Sequence, residues 1–384
     1  MIKKAAMDPN LHKTLTSWRH HLHAHPELTL HEANTAAFVC EKLTEFGIPF
    51  TPNIGGNGVV ATLSRGPSNR GVGLRADMDA LPITETTNLP YASKNPGIMH
   101  ACGHDGHTTS LLGAAASLKD DPSWTGTVHL VFQPAEEGGG GARSMIADGL
   151  FSRFPMERIF GYHNWPGLEP GVVAVHEGSV MAAGGRLEFR IHGRSGHAAM
   201  PHLSRDPMIA AAHLLLALQS IVSREISPLD SAVISVCTIE AGTAANQIPD
   251  EAVMRGTMRS LRPEIRDAND TAMRRIAAGV AQTFGVEIDV AIRHSMGVTF
   301  NREEDAELSA QAAVAAGLTV RRDIPPAMTG EDFSWYLAEK PGAFVWIGNG
   351  DSAGLHNAGY DYNDAILPAA AGYLASIAKR ALSA

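Results

Sequence analysis

A chain of 384 residues with 44% hydrophobic and 18% charged side chains can bury one substantial core and a second beside it, so one or two globular domains are expected. Its 31 basic against 40 acidic residues give a formal net charge of −9, which opposes binding to a phosphate backbone, and no local basic patch offsets it, so no nucleic-acid partner is expected. No window approaches the roughly 18 consecutive apolar residues of a membrane span. The start, Met1 to Pro9, runs into polar residues without an apolar signal core, and the expectation is a cytoplasmic protein with no membrane partner.

In chain order, Leu11, Leu15, Trp18 and Leu22 fall on one helical face, and Ala36, Phe38, Val39, Leu43 and Phe46 continue the pattern until Gly47 stops it. The period then changes. Short apolar runs at 59–63, 72–74, 128–132 and 159–162 read as buried strands, with helix patterns at 105–119 and 139–149 between some of them, which is the organisation of helices covering a largely parallel sheet. From Gly184 to about His294 the order becomes strand 186–192, helix 205–224, strand 231–239, strand 249–260, helix 263–284 and strand 286–293. Pro263 suits the first turn of its helix and Gly285 a left-handed cap just past the end. This βαββαβ order matches a ferredoxin-like unit that can fold by itself. Helices at 303–316 and 331–339, a strand at 343–347 and a helix at 364–382 return to the first style. The expected fold class is α/β, a mixed sheet covered by helices, with a discontinuous domain of residues 1–182 and 295–384 and an inserted domain at 183–294.

Histidine is over-represented, 18 residues against 12 Phe, and it is the side chain that ligates metals and titrates near neutrality. The densest feature is Met99 to His107, in which Cys102 and His104 sit two apart on a turn containing Gly103, a spacing that aims a thiolate and an imidazole at one ion. Asp105 could alternatively cap the following helix. Strand 128–132 runs into Glu136-Glu137 and a glycine run, placing two carboxylates where open α/β sheets build their sites. Adjacent side chains on extended backbone face opposite ways, so one can bind metal while the other turns to a water or substrate. Strand 159–162 ends in His163, and the 343–347 strand leads to His356. Cys102, His104, Glu137, His163 and His356 are too many donors for one tetrahedral zinc and suit two divalent ions sharing a bridging ligand. Asp77 and Asp79 end another strand on one face, fitting carboxylates that orient ligating imidazoles, or else an acidic turn before Pro82. Of three widely spaced cysteines, Cys40 and Cys237 are expected as small core residues, and His20, His21, His23 and His25 spread around a helix in capping and packing roles.

These residues resemble the two-metal aminoacylase and carboxypeptidase superfamily, in its amidohydrolase branch of hippurate hydrolases, indoleacetyl-amino-acid hydrolases and N-acetyl-diaminopimelate deacetylases. The match spans nearly the whole chain, through His23 to Leu28, Arg75 to Pro82, His100 to His107, Gln133 to Gly138, Gly196 to His202, Gly330 to Phe333 and Leu355-His356. The resemblance implies Cys102, His104, Glu137, His163 and His356 as ligands of two divalent ions (zinc, manganese, cobalt or nickel) and Glu136 as general base. It implies that the inserted domain is a lid and dimerisation module of a homodimer or homotetramer. His197 would reach a neighbouring subunit's site to hold the developing oxyanion, and Asn246 would grip the substrate. Asp79 would stand behind the ligands. Many relatives outside this branch carry Asp where Cys102 stands.

The reaction implied is hydrolysis of the amide bond of N-acyl amino acids, hippurate-like or N-acetyl, to a carboxylic acid and a free amino acid. Three alternatives stay open: a dipeptidase or carboxypeptidase on the same site, a hydrolase using Cys102 as nucleophile with His104 or His107, and a metal- or peptide-binding protein without catalysis.

Overall fold

The computed structural model describes residues 9–384, and the stretch Met1 to Asp8, part of the segment read for a signal core, lies outside the described residues. The chain divides into two compact units, one of residues up to Val180 with Phe300–Pro325 and Asp332–Ala384, the other of Met181–Thr299 with Pro326–Glu331.

The first unit is built on an eight-stranded sheet in the order Phe50–Ile54, Gly58–Arg65, Gly126–Gln133, Gly71–Asp77, Arg158–Pro166, Gly342–Gly350, Val172–Ala174 and Thr319–Arg321. The four middle strands run parallel. Gly58–Arg65 and Val172–Ala174 meet them antiparallel on either side, so the sheet is mixed. A parallel strand covered on both faces must be apolar on both, and Gly71–Asp77 and Gly342–Gly350 are buried along their whole length. The helices His104–Asp120, Pro9–Ala24, Glu303–Ala315 and Leu367–Ser383 share one core, to which Leu15, Leu111, Leu112, Ala310, Leu374 and Ile377 contribute. Because the middle strands are parallel, their carboxyl ends and the loops leaving them share one edge of the sheet.

Buried ion pairs fix the first helix against that edge. Arg19 donates through Nε to Asp364 (2.7 Å) and through Nη1 to Asp361 (2.8 Å). His23 turns Nδ1 to Asp105 Oδ2 at 2.8 Å and Nε2 to Glu85 at 3.3 Å. The neighbouring histidines pack: His20 stacks on Tyr91, His21 on Phe38, and His25 Nδ1 faces the His21 carbonyl. Cys40 packs against the core as expected, whereas Cys237 is exposed, because it sits at an irregularity of an edge strand.

In the second unit the strands Ala232–Ala241, Glu251–Ser260, Ala183–His192 and Glu287–Met296 pair antiparallel in that order, the ferredoxin-like arrangement. The helices Pro207–Ser220 and Pro263–Phe284 bury Leu214, Leu218, Met273 and Ala277 with Leu187, Phe189 and Met254 of the sheet. Asp206 caps the first by accepting from the amides of Met208 and Ile209, and Gly285 ends the second at φ +63°. With its terminal π-helical turn the first reaches 19 residues and is apolar enough by composition alone for a membrane span, but Ala210, Leu214, Leu218 and Ile221 are core residues of this unit.

Burial opposes the charge on His23, yet its bonds to Asp105 and Glu85 outweigh burial and hold the imidazolium up to about 9. A folded value above the unfolded one, about 6.5, means stabilisation that is complete below the unfolded value and lost as pH rises through the folded one. The Tm advantage of wild type over His23→Gln should therefore be largest near pH 6 and shrink towards about pH 9.5. A constant or growing difference in a thermal-melt series would show that His23 is not held charged.

Candidate metal centre

The turn at Cys102-Gly103-His104 depends on its glycine. Gly103 takes φ +89°, and a Cβ there would lie 2.2 Å from Asn164 Oδ1. The turn opens the His104–Asp120 helix and brings Cys102 Sγ to 3.4 Å from His163 Nε2. Cys102, His104 and His163 form one set of donor atoms lying within 4.8 Å of one another, and Cys102, Glu137 and His356 form a second. Cys102 belongs to both, and Glu137 also lies in a cluster with His104 and Glu136, so a thiolate or a carboxylate could serve two ions held there.

Two left-handed residues deliver the second set. Beyond the strand end at Gln133, Ala135 takes φ +56° while fully buried, its amide donating to Glu32 Oε1 at 2.9 Å. His356 takes φ +59° with its amide on the Ala101 carbonyl at 2.8 Å. Such backbone costs about 1–3 kcal/mol outside glycine and persists where surroundings enforce it. Glu137 Oε1 then stands 3.1 Å from His356 Nε2 and 4.0 Å from His104 Nε2.

Asp79 holds these pieces in register. Its Oδ1 accepts the Glu136 amide (3.1 Å), and its Oδ2 accepts the Glu137 amide (2.9 Å) and the Thr29 hydroxyl (2.7 Å). His104 Nδ1 faces the Asp79 carbonyl at 2.9 Å and Oδ1 at 3.3 Å, which turns Nε2 towards Glu137. His104 Nε2 and Glu137 Oε1 are buried and make no well-formed hydrogen bond, their polar neighbours being Asp77 at 3.5 Å and His356 Nε2 at 3.1 Å. Under-satisfied donor atoms gathered around a thiol are what a soft or borderline divalent cation satisfies, so the residues present fit such an ion.

The electrostatics agree. Burial, then the carboxylates of Glu137, Glu136 and Asp77, push the Cys102 thiol well above its usual range. Burial and the neighbouring His107 hold His163 well below its usual value, a neutral ring whose Nδ1 donates to the Asn164 carbonyl at 2.7 Å and whose Nε2 lone pair faces Cys102. Burial also opposes charge on His104, but Asp77, Asp79 and Glu137 overcome it and raise the ring to about 10, a measure of the negative field a cation would meet. A thiol kept protonated is a poor nucleophile. His107, one partner such a nucleophile would need, turns Nδ1 to Asp77 at 2.6 Å and Nε2 to Asn164 at 2.7 Å, away from that task.

Glu136 is buried, with Oε1 accepting the Asp332 amide at 3.3 Å, and its carboxylate clusters with the His104 ring nitrogen and the Glu137 carboxylate. Behind it Arg75 donates to Gln133 (2.8 Å), Asp77 (2.8 Å) and Asp332 (3.1 Å), and Asp332 also accepts Gln133 Nε2 at 2.7 Å and the Ala142 amide at 3.0 Å. The sequence gives little sign of this buried network, since an Arg and an Asp 257 positions apart carry no local pattern. His197 and Asn246 belong to the second unit, where the structure brings them together: His197 pairs with Gln247, and Ala198 donates its amide to the Asn246 carbonyl at 3.0 Å. Both side chains are exposed. The Ala199 amide donates to His197 Nδ1 at 3.1 Å, so Nε2 carries the ring proton and is free to donate.

A parallel-centred sheet with Cys, His and Glu donors for two cations at its carboxyl edge is the architecture of a metal-dependent hydrolase. The sequence pattern of the peptidase family M20/M25/M40 matches residues 73–380. The chain is 42% identical to a hippurate hydrolase of Campylobacter jejuni over 95% of both chains, and 40% identical to an N-acetyl-L-cysteine deacetylase of Bacillus subtilis over 97% of this chain and 89% of the other. A crystal structure of a dinuclear metal-binding M20 peptidase from Bacillus subtilis superposes with a TM-score of 0.88 at 35% identity, covering 98% of this chain and 99% of that one. The chain belongs to the peptidase family M20/M25/M40 and is a metal-dependent amidohydrolase.

Carboxylates that orient ligands typically contribute 10- to 100-fold in metal affinity, so Asp79→Asn should weaken divalent-ion binding by about that factor. Competition against a chromophoric chelator measures it, and an unchanged affinity would remove Asp79 from the support of the site.

Proposed function

We propose that the protein hydrolyses the amide bond of N-acyl amino acids, releasing a carboxylic acid and a free amino acid, at a centre of two divalent ions held by Cys102, His104, Glu137, His163 and His356. The observation that carries this reading is the pair of donor sets that share Cys102 and lie beside Glu136, a second carboxylate whose partner Glu137 is already committed to a set. When bound, the ions supply the Lewis acidity that polarises an amide carbonyl and makes water acidic near neutrality. Glu136, fixed through its amide by Asp79, takes the proton of the attacking water and returns it to the leaving amine nitrogen. His197, with Nε2 as donor, holds the developing oxyanion of a neighbouring subunit's site, and Asn246 beside it grips the substrate.

A homodimer or homotetramer assembled through the second unit follows from that arrangement. The unit offers the material: its edge strand Ala232–Ala241 has one unpaired side, and Ile209, Leu216 and Val222 are exposed on one helix and its terminal turn. The ions fitting a thiolate-imidazole-carboxylate set are zinc, manganese, cobalt or nickel.

Elemental analysis of purified protein, run beside hydrolysis of hippurate, N-acetyl-methionine and N-acetyl-diaminopimelate with and without chelator, tests the whole reading. About two ions per chain and chelator-sensitive release of the amino acid are expected. Activity indifferent to chelator but lost on thiol alkylation would favour a Cys102 nucleophile, and cleavage confined to free dipeptides would favour the dipeptidase alternative. Glu136→Gln should lose roughly 10²–10⁴ in kcat while keeping its metal content. His197→Ala should lose about 10²–10³. Because His197 would act across subunits, mixing the two inactive variants and allowing exchange should restore part of the activity, and no recovery in mixed oligomers would place His197 in its own subunit's site or outside catalysis.

A further inference from the structure

The strand Arg158–Pro166 carries His163 and Trp165 two positions apart, so both side chains leave the same face of the sheet. The parallel neighbour Gly342–Gly350 pairs Trp346 with His163 and Gly348 with Trp165, which puts Trp346 on that face and leaves no side chain opposite Trp165. The place a Gly348 side chain would take is filled by the carbonyls of Leu168 and Glu169, and Trp165 leans over Trp346, with ring centroids 3.7 Å apart and planes within 4°. Trp346 is buried and braced by the edge of His176 at 4.5 Å, whereas Trp165 is only half-buried. The His163 ring stands edge-on to Trp165 at 6.3 Å. The result is a flat, rigid indole shelf that begins beside a ligand of the proposed metal centre, and neither the ion sites nor the base makes use of it.

An N-acyl amino acid has two ends with different needs. The amino-acid end always carries a carboxylate, which calls for a cation or several hydrogen-bond donors. The acyl end varies in shape and needs only a matching surface. Around the shelf stand two indoles, His163 as a neutral ring and the buried His176, and among the described residues no Lys or Arg lies over either indole. Resting on the hydrolase reading above, we propose that Trp165 is a specificity-determining residue, forming a wall of the subsite that receives a flat aromatic acyl group. Offset or edge-on contact with an aromatic ring is the interaction this shelf offers.

The test uses the metal-loaded enzyme and two substrates that differ only in the acyl group, N-benzoylglycine and N-acetylglycine. Trp165→Ala should lower the benzoyl-to-acetyl ratio of kcat/KM by roughly tenfold, mainly through KM, and Trp165→Phe should restore most of it. An unchanged ratio overturns the proposal, as does a shift that appears instead between N-acetylphenylalanine and N-acetylglycine, which would put the indole on the amino-acid side. Should Trp165→Ala not fold, the Glu136→Gln holoenzyme supplies a second measurement with both indoles in place. N-benzoylglycine should change its tryptophan fluorescence and N-acetylglycine should not, that change should be lost in Glu136→Gln/Trp165→Phe, and equal responses to both ligands would overturn the proposal. Wild-type enzyme that hydrolyses neither substrate would sink the hydrolase reading itself, and this inference with it.

Discussion

The site is organised around one buried carboxylate. Asp79 cannot be solvated where it lies, so its charge has to be met by protein donors, and it takes the amides of Glu136 and Glu137, the Thr29 hydroxyl and the Nδ1 side of His104. Each of those bonds has a geometric consequence. The amides set the direction in which the two glutamates leave the backbone, and the imidazole bond decides which nitrogen of His104 faces the donor cluster. Burial pushes the Asp79 carboxyl up, but the His104 and Thr29 bonds and the Glu137 amide outweigh it and keep the carboxyl below its usual range.

A second layer stands behind the first. Asp77 accepts from Arg75 and faces His107, whose other nitrogen meets Asn164 next to His163. Asp105 does the equivalent work on the far side, tying the helix that begins at His104 to Arg19 and His23 of the first helix. The loops that carry the donor residues are therefore attached to the sheet and to two helices by charged hydrogen bonds as well as by the apolar packing of Met78, Met99 and Ala101, and such bonds fix angles more tightly than a surface of methyl groups would.

Much of this was legible in the sequence because the chemistry admits few residue types. Glu137, His163 and His356 stand out as donors following apolar runs, Cys102 and His104 as a close pair on a turn before an apolar helix, and the mixed α/β sheet follows from the same runs. What stayed hidden has physical reasons. The strand Phe50–Ile54 contains Pro52, which cannot donate to a ladder, and Val172–Ala174 and Thr319–Arg321 are too short to show a period. The helix pattern at 139–149 shrinks to Gly141–Ala147 because Gly140 and Gly149 take left-handed backbone. The left-handed turns at Ala135 and His356 left no clear signal, since the bonds from the Ala135 amide to Glu32 and from the His356 amide to the Ala101 carbonyl join residues distant in sequence.

The sharing of Cys102 between two donor sets has a thermodynamic side. Burial and the surrounding carboxylates hold the proton on that thiol, so an ion bound at either set would have to displace it, and ion binding would release protons and tighten as the pH rises.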